Sequence, residues 1–166
     1  APNDTLPGTP SKRYSHSAIY DPVRDRMVVF GGVVPDGAKS SSIANDVWAL
    51  SLAGTPAWAH LSLGTEPSTR YGHSAIYDPV GDRMVVFGGW RGSTFYLNDV
   101  WTLSLAGTLA WTQLSPSGTP PHTRFSHSAI HDPVRDRMVV FGGFSDPVFF
   151  NDAWDLALAG TTAWAP

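Results

Sequence analysis

The sequence predicts an all-β fold built from three copies of one unit. Gly72–Gly89 reads GHSAIYDPVGDRMVVFGG, Ser15–Gly32 matches it at 16 of 18 positions, and Ser126–Gly143 matches Ser15–Gly32 at 17 of 18. A second shared block, which opens with Asn-Asp and contains Trp and Ala-Gly-Thr, begins at Asn45, Asn98 and Asn151. Repetition of a unit of about fifty residues is typical of repeat architectures. No segment shows sustained helical periodicity, so we expect strands throughout.

The first two strands of each unit are predicted to form a hairpin. His16–Tyr20 is short and ends at Asp21-Pro22, a pair that favours a turn. Arg26–Phe30 is an apolar, β-branched run that stops at a diglycine, which is typical of a strand covered on both faces. In the second unit Gly81 replaces Arg24, which hints at a position that tolerates or prefers a positive φ.

The other two strands of the unit follow from the second block. Asp46–Leu50 is predicted to be the third strand, and Leu52–Pro56 is predicted to turn the chain. Ala57–Leu61 is predicted to be the fourth strand, and a proline-rich linker then leads to Arg70 and the next copy. Each unit therefore consists of four short antiparallel strands.

Composition excludes several classes of protein. The chain of 166 residues has a net charge of −3 and no lysine- or arginine-rich run, which argues against a nucleic-acid partner. It has no cysteine, which excludes disulfides, thiolate zinc sites and a thiol nucleophile. No apolar run approaches the length needed to span a membrane. The cellular compartment stays open.

Four strands in a unit of 53 to 57 residues, with these motifs in order, resemble the kelch repeat, one blade of a β-propeller. The motifs are Arg-x-x-His, an apolar run into a diglycine, Asn-Asp-x-Trp, and a second tryptophan ten residues later. The tyrosine usual in the third kelch strand is replaced by Trp48, Trp101 and Trp154. The resemblance divides the chain into a linker over 1–12 and blades over 13–69, 70–123 and 124–166.

Each motif residue has a predicted structural role. The diglycines permit a tight exit from the second strand, and the aspartates of Asn-Asp accept loop N–H bonds. The tryptophans supply apolar area between blades, with the indole N–H bonded to a carbonyl. The arginines and histidines of Arg-x-x-His are expected to form a repeated hydrogen-bond network within each blade.

Three blades do not close a ring, because the resemblance implies five to seven blades and most often six or seven. An open arc would expose the apolar faces of its first and last blades, which monomers seldom tolerate. We therefore predict a six-bladed propeller formed by a head-to-tail homodimer, with blade three against blade one of the partner. The alternative is a fragment of a longer array.

The connections after the diglycines break the repeat and share a face with the linkers before the first strands. They span 33–44, 90–97 and 144–150, and the second and third hold six aromatics outside the repeat pattern. Phe149, Phe150, Tyr96 and Leu97 directly precede Asn-Asp, so we expect them to pack on neighbouring blades. Candidate residues for binding a peptide, protein or glycan are Trp90, Arg91, Phe144, Phe95, Arg13, Arg70 and Arg124.

We expect neither catalysis nor a bound metal or cofactor. The repeated histidines His16, His73 and His127 would line a channel that is too wide for one ion. No Gly-x-Ser-x-Gly motif or phosphate loop is present, and the chain cannot form the Cys–Tyr crosslink of galactose-oxidase-like kelch enzymes. We predict a non-enzymatic, self-assembling scaffold or binding module. The alternative is a carbohydrate-binding protein or an enzyme of the sialic-acid-epimerase kelch type.

Overall fold

The computed structural model describes residues 8–37, 40–61 and 64–166, so residues 1–7 of the predicted linker 1–12 lie outside it. The described part of the chain contains no helix that could cross a membrane. Its strands are β1 (Ser17–Asp21), β2 (Arg26–Pro35), β3 (Ser41–Ser51), β4 (Ala57–Leu61), β5 (Ser74–Asp78), β6 (Arg83–Trp90), β7 (Tyr96–Ser104), β8 (Ala110–Leu114), β9 (Ser128–Asp132), β10 (Arg137–Phe141), β11 (Phe144–Ser145), β12 (Val148–Phe149), β13 (Ala153–Ala157) and β14 (Trp164–Ala165).

These strands form three antiparallel sheets of four, which we call blades one, two and three. The order is β1-β2-β3-β4 in blade one, β5-β6-β7-β8 in blade two and β9-β10-β13-β14 in blade three. In blade three the short hairpin β11-β12 occupies the connection after the diglycine. The predicted all-β, up-and-down architecture is thus confirmed. The two-chain ring stays a prediction.

The second strands of blades one and two extend further than the sequence predicts. The predicted strand Arg26–Phe30 continues through Gly31-Gly32 to Pro35, because a register shift between Phe30 and Gly32 absorbs the diglycine as a bulge. Gly31 and Gly32 have φ values of 64° and 98°, which residues other than glycine rarely adopt. The diglycine therefore bends the strand without ending it.

The hairpin between the first two strands is held by a buried aspartate. In blade one Asp21 Oδ1 accepts hydrogen bonds from the backbone N–H groups of Val23 and Arg24, both at 3.2 Å. The residue with positive φ is the second aspartate of the turn, Asp25 at 44°. The positive φ predicted at Gly81 was wrong, because in blade two the left-handed residue is again that aspartate, Asp82.

The apolar cores lie between blades. The first core joins Ile19, Val28, Phe30 and Val47 of blade one to Met84, Val86, Leu103, Leu105 and Trp111 of blade two. The second joins Ile76, Val85, Phe87 and Val100 of blade two to Met138, Val140, Leu156, Leu158 and Trp164 of blade three. Blade two therefore supplies one half of a core on each of its two faces. The first strands β1, β5 and β9 are neighbours, which places them nearest the axis of the arc.

Candidate functional site

Each blade is fastened at its loop end by a buried arginine. In blade two Arg70 binds Asp99 through two guanidinium nitrogens, at 2.8 and 2.9 Å, and donates to the Gly88 carbonyl at 2.9 Å. The indole N–H of Trp101 donates to the same carboxylate at 2.7 Å. Arg13–Asp46–Trp48 and Arg124–Asp152–Trp154 repeat this arrangement.

These contacts correct two predicted roles. The aspartates were expected to accept loop N–H bonds, but their side chains bind a guanidinium and an indole. The indoles of Asn-Asp-x-Trp were expected to donate to carbonyls, but they donate to carboxylates. The reason is that a bidentate arginine fixes the carboxylate beside the indole two residues along the strand.

The electrostatics of the clamp favour the ionised aspartate. Burial raises the pKa of Asp99, but the hydrogen bonds from Arg70 and Trp101 outweigh it and hold the pKa below its ordinary value. For Asp152 the hydrogen bonds from Arg124 dominate and lower the pKa to about 2. The carboxylates therefore stay charged at neutral pH and keep their arginines in place.

The three clamp arginines are buried inside their blades. The side chains of Arg70 and Arg124 are fully buried, and that of Arg13 is nearly so. Their donors point at the aspartate and at the diglycine carbonyl of the same blade. These three residues were candidates for ligand contact, and the structure instead places them inside the blades.

The repeated histidines join neighbouring blades. His73 Nε2 of blade two lies 2.7 Å from Ser17 Oγ of blade one, and His127 Nε2 lies 2.8 Å from Ser74 Oγ. The prediction that each histidine bonds within its own blade was wrong. A sequence repeat shows which positions are equivalent, but it does not show whether their partners lie in the same copy.

The diglycines receive the backbone of the next blade. An added Cβ on Gly88 would lie 2.9 Å from the carbonyl oxygen of Arg124 and 3.1 Å from the His127 ring. Gly89 N–H donates to that same carbonyl at 2.9 Å, and Arg124 N–H donates to the Leu97 carbonyl at 3.0 Å. The same backbone contacts join blades one and two, where they involve Gly31, Gly32, Arg70 and Ala44.

Blade three presents the first half of a core that has no second half in this chain. Ile130 is 63% exposed and Phe141 is 56% exposed. At the equivalent positions of the first two blades no side chain is more than 7% exposed: Ile19, Phe30, Ile76 and Phe87.

Blade one presents the matching second half. Leu52 is 42% exposed, whereas its equivalents Leu105 and Leu158 are buried in the two cores. Polar groups that are buried between neighbouring blades are also exposed on these two uncovered faces. His16 of blade one and Ser128 of blade three are exposed, whereas His73 and His127 are buried.

The loop face carries a continuous set of packed aromatic rings. Trp90 lies 5.2 Å from Tyr71 and 5.6 Å from Phe125, and Phe144 lies 5.7 Å from Phe125, between ring centroids. Trp90 also stacks on Tyr96 at 5.7 Å. Trp90 and Phe144, both candidate binding residues, are therefore half-buried members of this cluster.

Two other candidates stand at the tip of the blade-two connection. The guanidinium of Arg91 lies over the Phe95 ring, 4.4 Å from its centroid, and both residues are exposed. Phe149, which we expected to pack on a neighbouring blade, is 82% exposed. Its equivalent Tyr96 packs on Phe125 of the next blade, whereas no described residue plays the part of Phe125 for Phe149.

One cluster in the described residues has the geometry of a metal site, and the sequence analysis missed it. The ligand atoms of Asp78, His131 and Asp136 all lie within 4.8 Å of one another. His131 stands where the other units have Tyr20 and Tyr77. That departure from the repeat, at the same junction as Gly81, is the signal that could have found the cluster.

Blades of four antiparallel strands, arginine clamps and interblade cores define a kelch-type β-propeller. The solved structure of YjhT has this fold, with a TM-score of 0.77 and 16% identity over 96% of this chain and 52% of that one. The profile of the KLHDC2/KLHL20/DRC7 Kelch-repeats domain matches residues 4–165. The chain belongs to this kelch-repeat family, whose domains are typically protein-interaction modules.

Two curated relatives support the assignment. The chain is 33% identical over 143 residues to Tip elongation aberrant protein 1 of Schizosaccharomyces pombe, and 32% identical over 148 residues to Host cell factor homolog hcf-1 of Caenorhabditis elegans. The matches cover 84% and 81% of this chain but only 12% and 18% of those proteins. The chain thus corresponds to a small part of each relative.

Proposed function

We propose that the chain is a self-assembling interaction module, in which two copies close a six-bladed ring and present the loop face to a protein partner. The observation that carries the proposal is the exposure of Ile130 and Phe141, whose equivalents in the other blades are buried by a following blade. Blade one of a second copy offers the surface that blades two and three use for that purpose. The relatives' names describe no enzyme, which favours an interaction role.

The apolar surfaces at the two ends are complementary because they are halves of one repeated core. Blade three contributes Ile130 and Phe141. Blade one contributes five residues at the positions that blades two and three use to cover the blade before them. Those residues are Met27, Val29, Leu50, Leu52 and Trp58. Each Å² of apolar surface that is buried on association contributes about 25 cal/mol of favourable free energy.

The polar groups at the two ends are complementary as well. Between blades one and two, Arg24 of the first hairpin binds Asp82 of the second at 2.7 Å. At the open ends the equivalents are Arg135, which is exposed, and Asp25, which accepts a bond from Tyr20. Pairing two copies would place Arg135 against Asp25 of the second copy, and Ser128 against its His16.

The partner surface that we propose is the tip formed by Arg91 and Phe95. A guanidinium stacked on an exposed ring combines a positive charge with an apolar plane. Such a pair suits a peptide segment that carries an acidic side chain next to an apolar one. The aromatic cluster around Trp90 and Phe144 holds the tip in position, since Trp90 Nε1 donates to the Ser93 carbonyl at 3.0 Å.

The pairing is tested by the mass of the particle in solution, measured by light scattering and by native mass spectrometry. Wild type should be a dimer, and Ile130→Glu should be a folded monomer because it places a charge in the junction. Val134→Glu is the matched control, since Val134 and its equivalents Val23 and Val80 are exposed in all three blades. A wild-type monomer at micromolar concentration, or an open polymer, contradicts the proposal.

The binding surface is tested with a peptide library displayed on phage. Selection on wild type should enrich peptides that combine acidic and apolar residues. Arg91→Ala and Phe95→Ala should each weaken their binding at least tenfold without changing the mass of the particle. Arg91→Lys keeps the positive charge at the tip and therefore separates loss of charge from loss of the guanidinium. Peptides that bind the Arg91 and Phe95 variants as well as wild type contradict this part of the proposal.

A further inference from the structure

Two departures from the repeat meet at one place. Within the 18-residue repeated stretch the three units differ at only three positions. At one of these, Gly81 replaces the arginine that is Arg24 in blade one and Arg135 in blade three. At another, His131 replaces a tyrosine. Although they are fifty residues apart in the chain, both lie at the junction of blades two and three.

The junction of blades one and two shows what normally fills this place. The guanidinium of Arg24 lies between two carboxylates, at 3.1 Å from Asp21 and 2.7 Å from Asp82. The hydroxyl of Tyr77 donates to Asp82 at 3.0 Å. A cation is therefore held between the hairpin aspartates of neighbouring blades.

The junction of blades two and three keeps both carboxylates and lacks that guanidinium. The equivalents of Asp21 and Asp82 are Asp78, which is buried, and Asp136. His131 Nε2 lies 3.2 Å from Asp136 Oδ1, and the ligand atoms of all three residues lie within 4.8 Å of one another. The neighbouring junction holds a cation between the equivalent pair of carboxylates, so this site suits a positive charge.

We propose that Asp78, His131 and Asp136 bind a divalent transition-metal ion, Zn²⁺, which joins blades two and three in place of the missing arginine. One imidazole nitrogen with two carboxylate oxygens is a zinc ligand set, with water completing the coordination. An all-oxygen site would favour Mg²⁺ or Ca²⁺, and the imidazole shifts the preference toward zinc.

Two of the three ligands, His131 and Asp136, already have the spacing that zinc requires, and Asp78 lies within 4.8 Å of both. Bonds of about 2.0–2.2 Å place two ligands of a tetrahedral ion about 3.3–3.5 Å apart, close to the separation between His131 and Asp136. Asp78 accepts bonds from Val80 N–H, Gly81 N–H and Arg83 Nε. A carboxylate offers about four acceptor sites, so one remains for the ion.

The experiment is a calorimetric titration of chelator-treated protein with ZnCl₂. Wild type should bind one ion per chain, and saturation at 100 times Kd should raise the unfolding midpoint by about 5–10 °C. His131→Tyr removes the imidazole and installs the residue that blades one and two carry, so the blade should still fold. Gly81→Arg restores the guanidinium, for which the Arg83 side chain beside Gly81 must move.

Both variants should bind zinc at least tenfold more weakly than wild type, and their unfolding midpoints should no longer respond to the ion. His122→Tyr changes an exposed histidine elsewhere and should leave the titration unchanged. Wild type that binds no zinc at micromolar concentration overturns the proposal. Binding that is unaffected by His131→Tyr and Gly81→Arg overturns it too, because the ion would then be held by other histidines.

Discussion

His73 Nε2 lies 2.7 Å from Ser17 Oγ, so a histidine of blade two closes a hydrogen bond with blade one. Burial, together with the nearby Arg70 charge, lowers the pKa of His73 to about 3. Burial lowers the pKa of His127 to about 4 at the next junction. Both junctions therefore require a neutral histidine.

Stability should fall as the solution is acidified from pH 7 to pH 5. An unfolded histidine binds its proton near pH 6.5, whereas these two native histidines stay neutral, so the unfolded state gains protons and is favoured. The slope should approach about 1.4 kcal/mol per pH unit for each histidine below pH 6.5. Urea unfolding at a series of pH values measures it.

The clamp aspartates do not contribute to the pH dependence of the free energy of unfolding between pH 7 and pH 5. The pKa values of Asp46, Asp99 and Asp152 are lowered, so their contribution is present above the unfolded value near 3.8 and is lost only below it. His122→Asn is the control, since His122 is exposed and should leave the slope unchanged. A free energy of unfolding that is flat between pH 7 and pH 5 contradicts the prediction.

Removal of the central clamp should be strongly destabilising. Arg70→Ala leaves the Asp99 carboxylate and the Gly88 carbonyl without their main donor, and we expect a loss of about 3–5 kcal/mol in the free energy of unfolding. Arg70→Lys should recover little, because an ammonium cannot bind the carboxylate in the bidentate geometry. Arg91→Ala, an exposed arginine, should change stability by no more than about 0.5 kcal/mol. Equal effects of the Arg70 and Arg91 variants would refute the buried role of the clamp.

The proposed two-chain junction predicts a charge-swap rescue. Arg135→Asp and Asp25→Arg should each weaken pairing, because each places like charges opposite one another across the junction. The double variant should recover most of the pairing, as the opposite charges are restored in exchanged positions. Sedimentation over a range of concentrations gives the dimer dissociation constants. Failure of the double variant to improve on either single variant argues against this contact.

Two equivalent glycines should respond differently to substitution by alanine. Both have positive φ, so each change costs about 1–2 kcal/mol in backbone strain. Gly88→Ala also drives a Cβ into the Arg124 carbonyl oxygen of the next blade, which should cost more. At Gly142 the nearest atom to an added Cβ is the Phe150 carbonyl oxygen at 3.4 Å, an ordinary contact.

Gly142→Ala should therefore lose only the strain cost of about 1–2 kcal/mol in folding stability. It should pair at least tenfold more weakly, because Arg13 of a second copy would occupy the place that Arg124 takes at Gly88. Thermal unfolding and sedimentation separate the two effects. Wild-type pairing by Gly142→Ala would show that the diglycine of blade three receives no neighbouring backbone.

The sequence was informative about the blade and less so about what lies between blades. Ala57–Leu61 was predicted to be the fourth strand and is β4, because alternation and flanking turns are local signals. The bond from His73 to Ser17 was not predictable, since its partners are in different copies of the repeat. The approach of Asp78 to His131 was missed for the same reason. Only the angle between neighbouring sheets brings such positions together.

The exposure of Phe149 was also missed, for a different reason. The pattern of residues before Asn-Asp correctly indicated a position that packs on the following blade, as Tyr96 does on Phe125. It could not indicate whether a following blade covers that position. The local environment of a repeat position thus depends on the neighbours available to it, which a single unit does not specify.

The interblade cores allow whole units to be gained or lost during evolution. Since every junction uses the same residues on its two sides, a duplicated or deleted unit still finds a matching face on each neighbour. Ring size is then set by the angular step from one sheet to the next, which depends on side-chain volume at the junction. Changes of volume at Phe30, Phe87 or Phe141 are the route by which such a chain could acquire a different symmetry.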